Sequence, residues 1–223
     1  VVSAFVGGSL ERILALQPDL VIGFSDVQAE WARTLISAGL PVLIFNQRTV
    51  QEILEVMLTL SRIVGAEGRG QALVDGWLRG LDQAAARAAA RGPGPRVYFE
   101  EWNDPMISAI GWVSELITVV GGQNVFADRA HQAASKDRVT TVEEVQDRAP
   151  EVMLASWCGK PFVVEEASAR LGPGVPAVAA GRLHEVPSEI ILQPGPACLT
   201  DGVRWLESLI HEGIPPMNAG EGA

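Results

Sequence analysis

Few side chains in this 223-residue sequence stand where bond-making chemistry would need them. The sharpest candidates are Glu100 and Glu101, paired carboxylates beside Trp102 and so raw material for general acid–base work. They end the run 96–101 (RVYFEE), which reads as a strand, and alternation along a strand sends neighbours to opposite faces. The pair therefore cannot serve one substrate. His131, His184 and His211, the only histidines, are far apart in sequence. Cys158 follows a strand end in Ser156-Trp157-Cys158-Gly159-Lys160, where Lys160 is placed to lower the thiol pKa and make a soft ligand for cobalt or iron. The plainer reading of Cys158 and Cys198 is two buried thiols. Their spacing fits no zinc site, and no metal ligand set is predicted. G-x-S-x-G, P-loop and H-E-x-x-H patterns are absent from the sequence, and Gly121-Gly122 follows a helix and reads as its stop. The expectation is a protein that is not an enzyme and carries no resident cofactor.

Aromatic residues are better placed than nucleophiles. Phe24 ends a short apolar run at the carboxyl end of a strand, where ligands bind in open parallel sheets. Trp102 and Trp112 bracket a loop, Trp102-Asn103-Asp104-Pro105, just beyond the strand 96–101. Rigid aromatic faces bury large area at little entropic cost and suit a flat ligand. Trp31, Trp77 and Trp205 sit on helices with apolar stripes and read as core.

The elements that must position these residues alternate in an α/β rhythm. Residues 9–16 read as a helix capped by Ser9 and stopped by Gln17-Pro18, followed by the strand 20–24, the helix 29–38 and the strand 41–45. Thr49 and Glu52 form a capping box for a helix over 49–64, and a longer helix runs over 69–91 to the breaker Gly92-Pro93-Gly94-Pro95. The rhythm then restarts with a strand at 96–101 and a helix at 114–120. A capped helix at 141–148 and a strand at 151–156 come next, then a weak helix at 164–171, a strand at 181–186 and a helix at 202–211. Residues 215–223 read as a tail. LERILALQPDLVIGF and VEEVQDRAPEVMLAS repeat one phrase, each with an acidic residue in the first helical turn (Glu11, Glu143) and a Pro before the strand. An acidic residue there favours the helix dipole whatever else it does.

Composition narrows the partners. A net charge of −10 argues against nucleic acid or an anionic membrane, which call for a basic face. Hydrophobic residues at 48% and charged residues at 20% mark an ordered globular chain. No stretch is long and apolar enough for a spanning helix. No basic-then-apolar leader opens the chain, and Val1 in place of Met fits a leader already removed.

Taken in order, SLERILALQPDLVIGF, the helix after Thr49, RVYFEEW, VSELITVVGGQNVF, VEEVQDRAPEVMLAS and GRLHEVPSEIILQPGP resemble the substrate-binding proteins of bacterial ABC importers for vitamin B12 and ferric siderophores, the vitamin B12 branch most closely. The resemblance runs from Phe5 to about Ile210. It implies an α/β fold of two lobes with parallel-rich sheets: an N-terminal lobe over 1–68, a connecting backbone helix over 69–91, a C-terminal lobe over 92–214 and a tail over 215–223. The family has a first strand–helix pair before the segment matching Phe5, so the N-terminal lobe is expected to lack it. The resemblance also implies capture of a corrinoid such as cobalamin between the lobes. Phe5 and Phe24 match ligand-stacking aromatics, and the 102–105 loop matches a cleft-facing loop. Glu189 and Gln193 stand where the B12 receptors place an Asp and an Arg; Gln193 reduces a charge-assisted contact to an amide hydrogen bond. Glu11 and Glu143 match the family's glutamates that dock on arginines of the membrane permease. The implied location is periplasmic, with the membrane reached only through the permease or a removed leader. The alternatives are a ferric siderophore or haem receptor, and a cytoplasmic corrinoid-handling protein or enzyme.

Overall fold

Short apolar runs broken by Pro and Gly at regular intervals give short strands joined by helices, and that is the order found. The computed structural model describes residues 3–4 and 7–216, with side chains from Gly8 onward. The chain divides into two compact units, Val1–Gln47 and Arg48–Ala223. The segment 1–68 therefore spans the whole first unit and the start of the second.

In the first unit β1 (Ser3–Ala4) pairs antiparallel with β2 (Gly7–Gly8). Helix α1 (Leu10–Ala15) starts at Ser9, whose side chain accepts from the Arg12 N–H. It stops because Gln17 turns into left-handed backbone, φ 48°, ahead of Pro18. β3 (Val21–Gly23) leads through α2 (Ala29–Ser37) to β4 (Val42–Ile44), and the strands pair parallel with Val21 opposite Val42. The buried apolar residues described here are Ile13, Ala32 and Leu35. An apolar groove of about 270 Å³ runs along β3, lined among others by Leu16, Ile22 and Trp31.

The second unit opens with α3 (Val50–Ile63) and α4 (Glu67–Arg91). The capping box of α3 is complete: Thr49 Oγ1 accepts from the Glu52 N–H and the Glu52 carboxylate accepts from the Thr49 N–H. The two helices meet closely at Gly70, where an added Cβ would collide with the Ser61 side chain. α4 has 25 residues and is about 37 Å long at 1.5 Å per residue. The main sheet follows: β5 (Arg96–Asn103), β6 (Met106–Ser108), β7 (Gln123–Asn124), β8 (Val152–Ala155) and β9 (Leu183–Glu185). Its order is β6-β5-β8-β9, with β7 also on β5. All pairings are parallel except β5 with β6.

Alternation along the sheet makes two cores. Val97, Phe99, Val152 and Leu154 pack with α4, α5 (Gly111–Val119) and α10 (Val203–His211). Tyr98 and Met153 point the other way, toward α6 (Val142–Arg148) and α7 (Val164–Leu171). Between α7 and α10 lie α8 (Pro176–Ala179), α9 (Ser188–Ile191) and a π-helical turn, Cys198–Gly202, that runs into α10. Sequence reading expects no element at β6 or α9: three residues beside Asp104-Pro105 and four inside a Pro-rich segment carry no periodicity to detect. The fold is the expected α/β class with parallel-rich sheets.

Candidate functional site

The carboxyl ends of β5, β8 and β9 lie at one end of the main sheet, because these strands are parallel neighbours. In open parallel sheets ligands bind at that end. Here the chain turns outward through Trp102-Asn103-Asp104, through 156–162 after β8, and through Pro187 into α9.

A β-bulge shapes the first of these turns. Glu100 is opposite Ser108 but Trp102 is opposite Ile107, so Glu101 is the extra residue on β5. Glu100 is fully buried and pairs with Arg170 of α7 at 2.6 Å. Glu101 pairs with buried Arg138 at 2.6 Å. The carboxylates are held apart by different partners, and neither pairing leaves an acid–base dyad. Burial pushes the Glu100 carboxyl up, and Arg170 opposes that shift most strongly.

Trp102 is half-buried on this rim, and its indole N–H donates to the Asp104 carbonyl at 2.8 Å. The Lys160 ammonium lies 4.3 Å from its ring centroid, a cation–π contact that covers one face. The expectation that Lys160 would activate Cys158 is thus corrected. Lys160 is engaged by Trp102, and the exposed Cys158 thiol is pushed up, first by burial and then by the Glu101 carboxylate. Burial of both thiols is corrected too: Cys198 is buried and raised to about 11 by burial, whereas Cys158 is exposed.

Trp112 was expected beside Trp102 on a ligand surface. It is 3% exposed in the core, and its N–H donates to the Ile191 carbonyl at 2.9 Å. An indole closed in on both faces has no face to offer a ligand, so Trp112 is a core residue. Trp77 and Trp205 pack against the same core, as helical spacing suggested. Trp31 lines the first unit's groove.

Glu189, exposed on α9, lines an open groove of about 630 Å³ beside the edge strand β9, together with Lys160, His184, Glu185 and Trp205. Gln193 is exposed two residues beyond α9 and is not among the groove's lining residues. Phe24 follows β3 half-buried, its N–H donating to Gln28 Oε1 at 3.0 Å. Phe5 lies outside the described residues. Glu11 is exposed in the first turn of α1 and Glu143 in the first turn of α6. The neighbouring Glu144 is taken: it closes the Thr141 capping box and pairs with Arg129 at 2.6 Å, which lowers its pKa.

The histidines stay apart. His211 Nε2 lies 2.7 Å from the Val120 carbonyl, and His184 is pushed down by burial and by Arg182. Among the described residues no group of three or more His, Cys, Asp or Glu side chains is placed to hold a metal. No described helix is long and apolar enough to cross a membrane.

Sequence reasoning missed Arg138, Trp157 and Arg170. Each reaches β5 from another element, and Arg170 lies 70 residues from the Glu100 it pairs with.

A half-buried aromatic ring backed by buried ion pairs, at the carboxyl ends of parallel strands, is an arrangement suited to binding a ligand on an α/β scaffold. The chain belongs to the periplasmic binding protein family, which it matches over residues 1–190. It is 32% identical over 158 residues to the vitamin B12-binding protein of Vibrio parahaemolyticus, covering 70% of this chain and 56% of that one. It is 29% identical over 170 residues to the vitamin B12-binding protein of Salmonella typhimurium, covering 74% and 62%. The chain thus spans 56% and 62% of these relatives' length, less than two thirds of either. Among solved structures, the periplasmic vitamin B12-binding protein BtuF of Vibrio cholerae matches with a TM-score of 0.66 and 22% identity, over 94% of this chain and 80% of that one. The periplasmic haem-binding protein RhuT of Roseiflexus matches with a TM-score of 0.73 and 22% identity, over 92% and 82%. At these identities the solved structures speak for the fold.

Proposed function

We propose that this chain is the ligand-capturing receptor of an ABC importer, working outside the cytoplasm, and that its ligand is a corrinoid such as cobalamin. The mechanism is capture without bond chemistry. The observation that carries the reading is the Trp102 ring, held at the carboxyl end of β5 with Lys160 on one face. A flat macrocycle is well served by such a ring. The B12-binding relatives at about 30% identity support a corrinoid over other chelates. Glu189, and Phe24 in the first unit, are the further ligand contacts of this reading, with Gln193 and Phe5 as expected from the family resemblance. Glu11 and Glu143 are its permease-docking carboxylates; both are exposed, and exposed charges of this kind steer encounter and orientation. The segment 69–91 is the lobe-connecting helix of this reading.

One observation favours a second ligand class. Lys160 puts an exposed ammonium on the rim, where the carboxylate of a haem or a ferric siderophore would find a partner. Arg138 and Arg170 add less, since Glu101 and Glu100 already neutralise them. Parallel titrations with cyanocobalamin and hemin separate the two. Saturable one-to-one binding of cyanocobalamin with weaker hemin binding supports the corrinoid reading; the reverse order replaces it with the haem reading.

A further inference from the structure

Beneath the rim lies a carboxylate that ligand contact does not use. Glu100, with 0% exposure, accepts four hydrogen bonds. Two come from Arg170 Nη2 at 2.6 and 2.7 Å, one from Trp157 Nε1 at 2.9 Å and one from the Tyr98 hydroxyl at 2.8 Å. Four is about the full accepting capacity of a carboxylate. A buried ion pair is weak grounds for stability, since apolar residues of the same volume often do as well. What this pair does supply is geometry.

Two routes lead from Glu100 to Trp102. In the first, Arg170 Nη1 donates to the carbonyl of Asn103, the residue next to Trp102, at 2.8 Å. In the second, the Trp157 carbonyl accepts the Lys160 N–H at 2.8 Å, and the Lys160 ammonium covers the Trp102 ring. The Trp157 ring is further fixed edge-on against Phe162, with centroids 5.1 Å apart. Neither route passes through the other, and both end at the residue that the bulge at Glu101 re-aims.

We infer that Glu100 is the positioning residue of the rim: by holding Arg170 and Trp157 together it fixes the 102–105 and 157–162 loops and sets the orientation of the Trp102 ring. The inference rests on the proposed ligand role of Trp102 only in its binding arm; the loop geometry is testable without a ligand.

Hydrogen exchange on the free protein gives the first arm. Glu100→Gln keeps the volume and removes the charge. It is expected to speed exchange in both loops by about tenfold while α5 and α10 stay protected. Unchanged loops, or an equal rise in α5 and α10, overturn the inference, the latter because it reports general loosening. Should Glu100→Gln fail to fold, Trp157→Phe removes one hydrogen bond and keeps the aromatic contact. It is expected to loosen 157–162 and leave 102–105 in place, and an unchanged 157–162 overturns the claim.

The second arm is a double-mutant cycle with cyanocobalamin and, separately, hemin. Glu100→Gln is expected to weaken binding about tenfold in the native background and to add almost nothing in a Trp102→Ala background. Additive losses overturn action through Trp102. A native chain that binds neither probe removes the ligand reading, and the exchange arm then decides the positioning claim alone.

Discussion

Trp102 is where a ligand reading and a core reading part company most cleanly. The ring is half-buried, and one face already carries the Lys160 ammonium. Trp102→Ala is expected to weaken ligand binding by about 1–3 kcal/mol, as loss of an aromatic anchor does. An unchanged dissociation constant would return Trp102 to the packing residues. Trp112 shows how spacing alone misleads. It stands near Trp102 in sequence, yet α5 turns it inward, where Ile191 takes its N–H. The sequence offered a Cys158–Lys160 proximity that the fold spends on Trp102 instead, because a ring lay within reach and the thiol was partly desolvated.

At the scale of elements, local signals were the readable ones. Both capping boxes, Thr49 with Glu52 and Thr141 with Glu144, form as spelled, because each is closed by residues three apart. β6 was not readable: Met106–Ser108 becomes a strand only by pairing with β5 across the bulge. The Glu100–Arg170 and Glu101–Arg138 pairs were equally hidden, since tertiary contact alone joins their elements. Two predictions belong here. Gly70→Ala puts a methyl group into Ser61 where α3 crosses α4, and should destabilise by about 1–3 kcal/mol in chemical denaturation. A stability equal to the native protein's would mean the helices can part at no cost. The second concerns Glu207 on α10, bridged by Arg87 and Arg91 of α4 at 2.7 and 2.8 Å. Hydrogen bonds from Arg87 in particular hold its pKa at about 2, below the ordinary 4.5. The folded pKa is depressed, so the bridge's contribution is full above pH 4.5 and fades as pH falls toward about 2. Glu207→Gln should therefore lower stability by ~1 kcal/mol near pH 7, with the gap to the native protein closing through that acid window. A gap that does not depend on pH would show that packing, and not charge, is what the substitution disturbs.

For the molecule as a whole, the parallel-rich α/β fold was legible because strand, helix and breaker recur with little ambiguity along most of the chain. What a sequence could not show is which of its aromatic and charged residues reach the strand ends, since that depends on the turn at each end. In the proposed reading the net charge of −10 suits a partner that supplies arginines, and Glu11 and Glu143 are the carboxylates proposed for that contact. Replacing both with alanine should leave ligand affinity unchanged and reduce permease-dependent uptake. Undiminished uptake in the double variant would end the docking assignment. Corrinoid capture is tested first by titrating the purified chain with cyanocobalamin by calorimetry, with tryptophan emission followed in parallel. One saturable site with a dissociation constant of roughly 1 μM or tighter is expected, with quenching that shrinks in Trp102→Ala. Heats that never saturate up to ~100 μM, with emission unmoved, would contradict it.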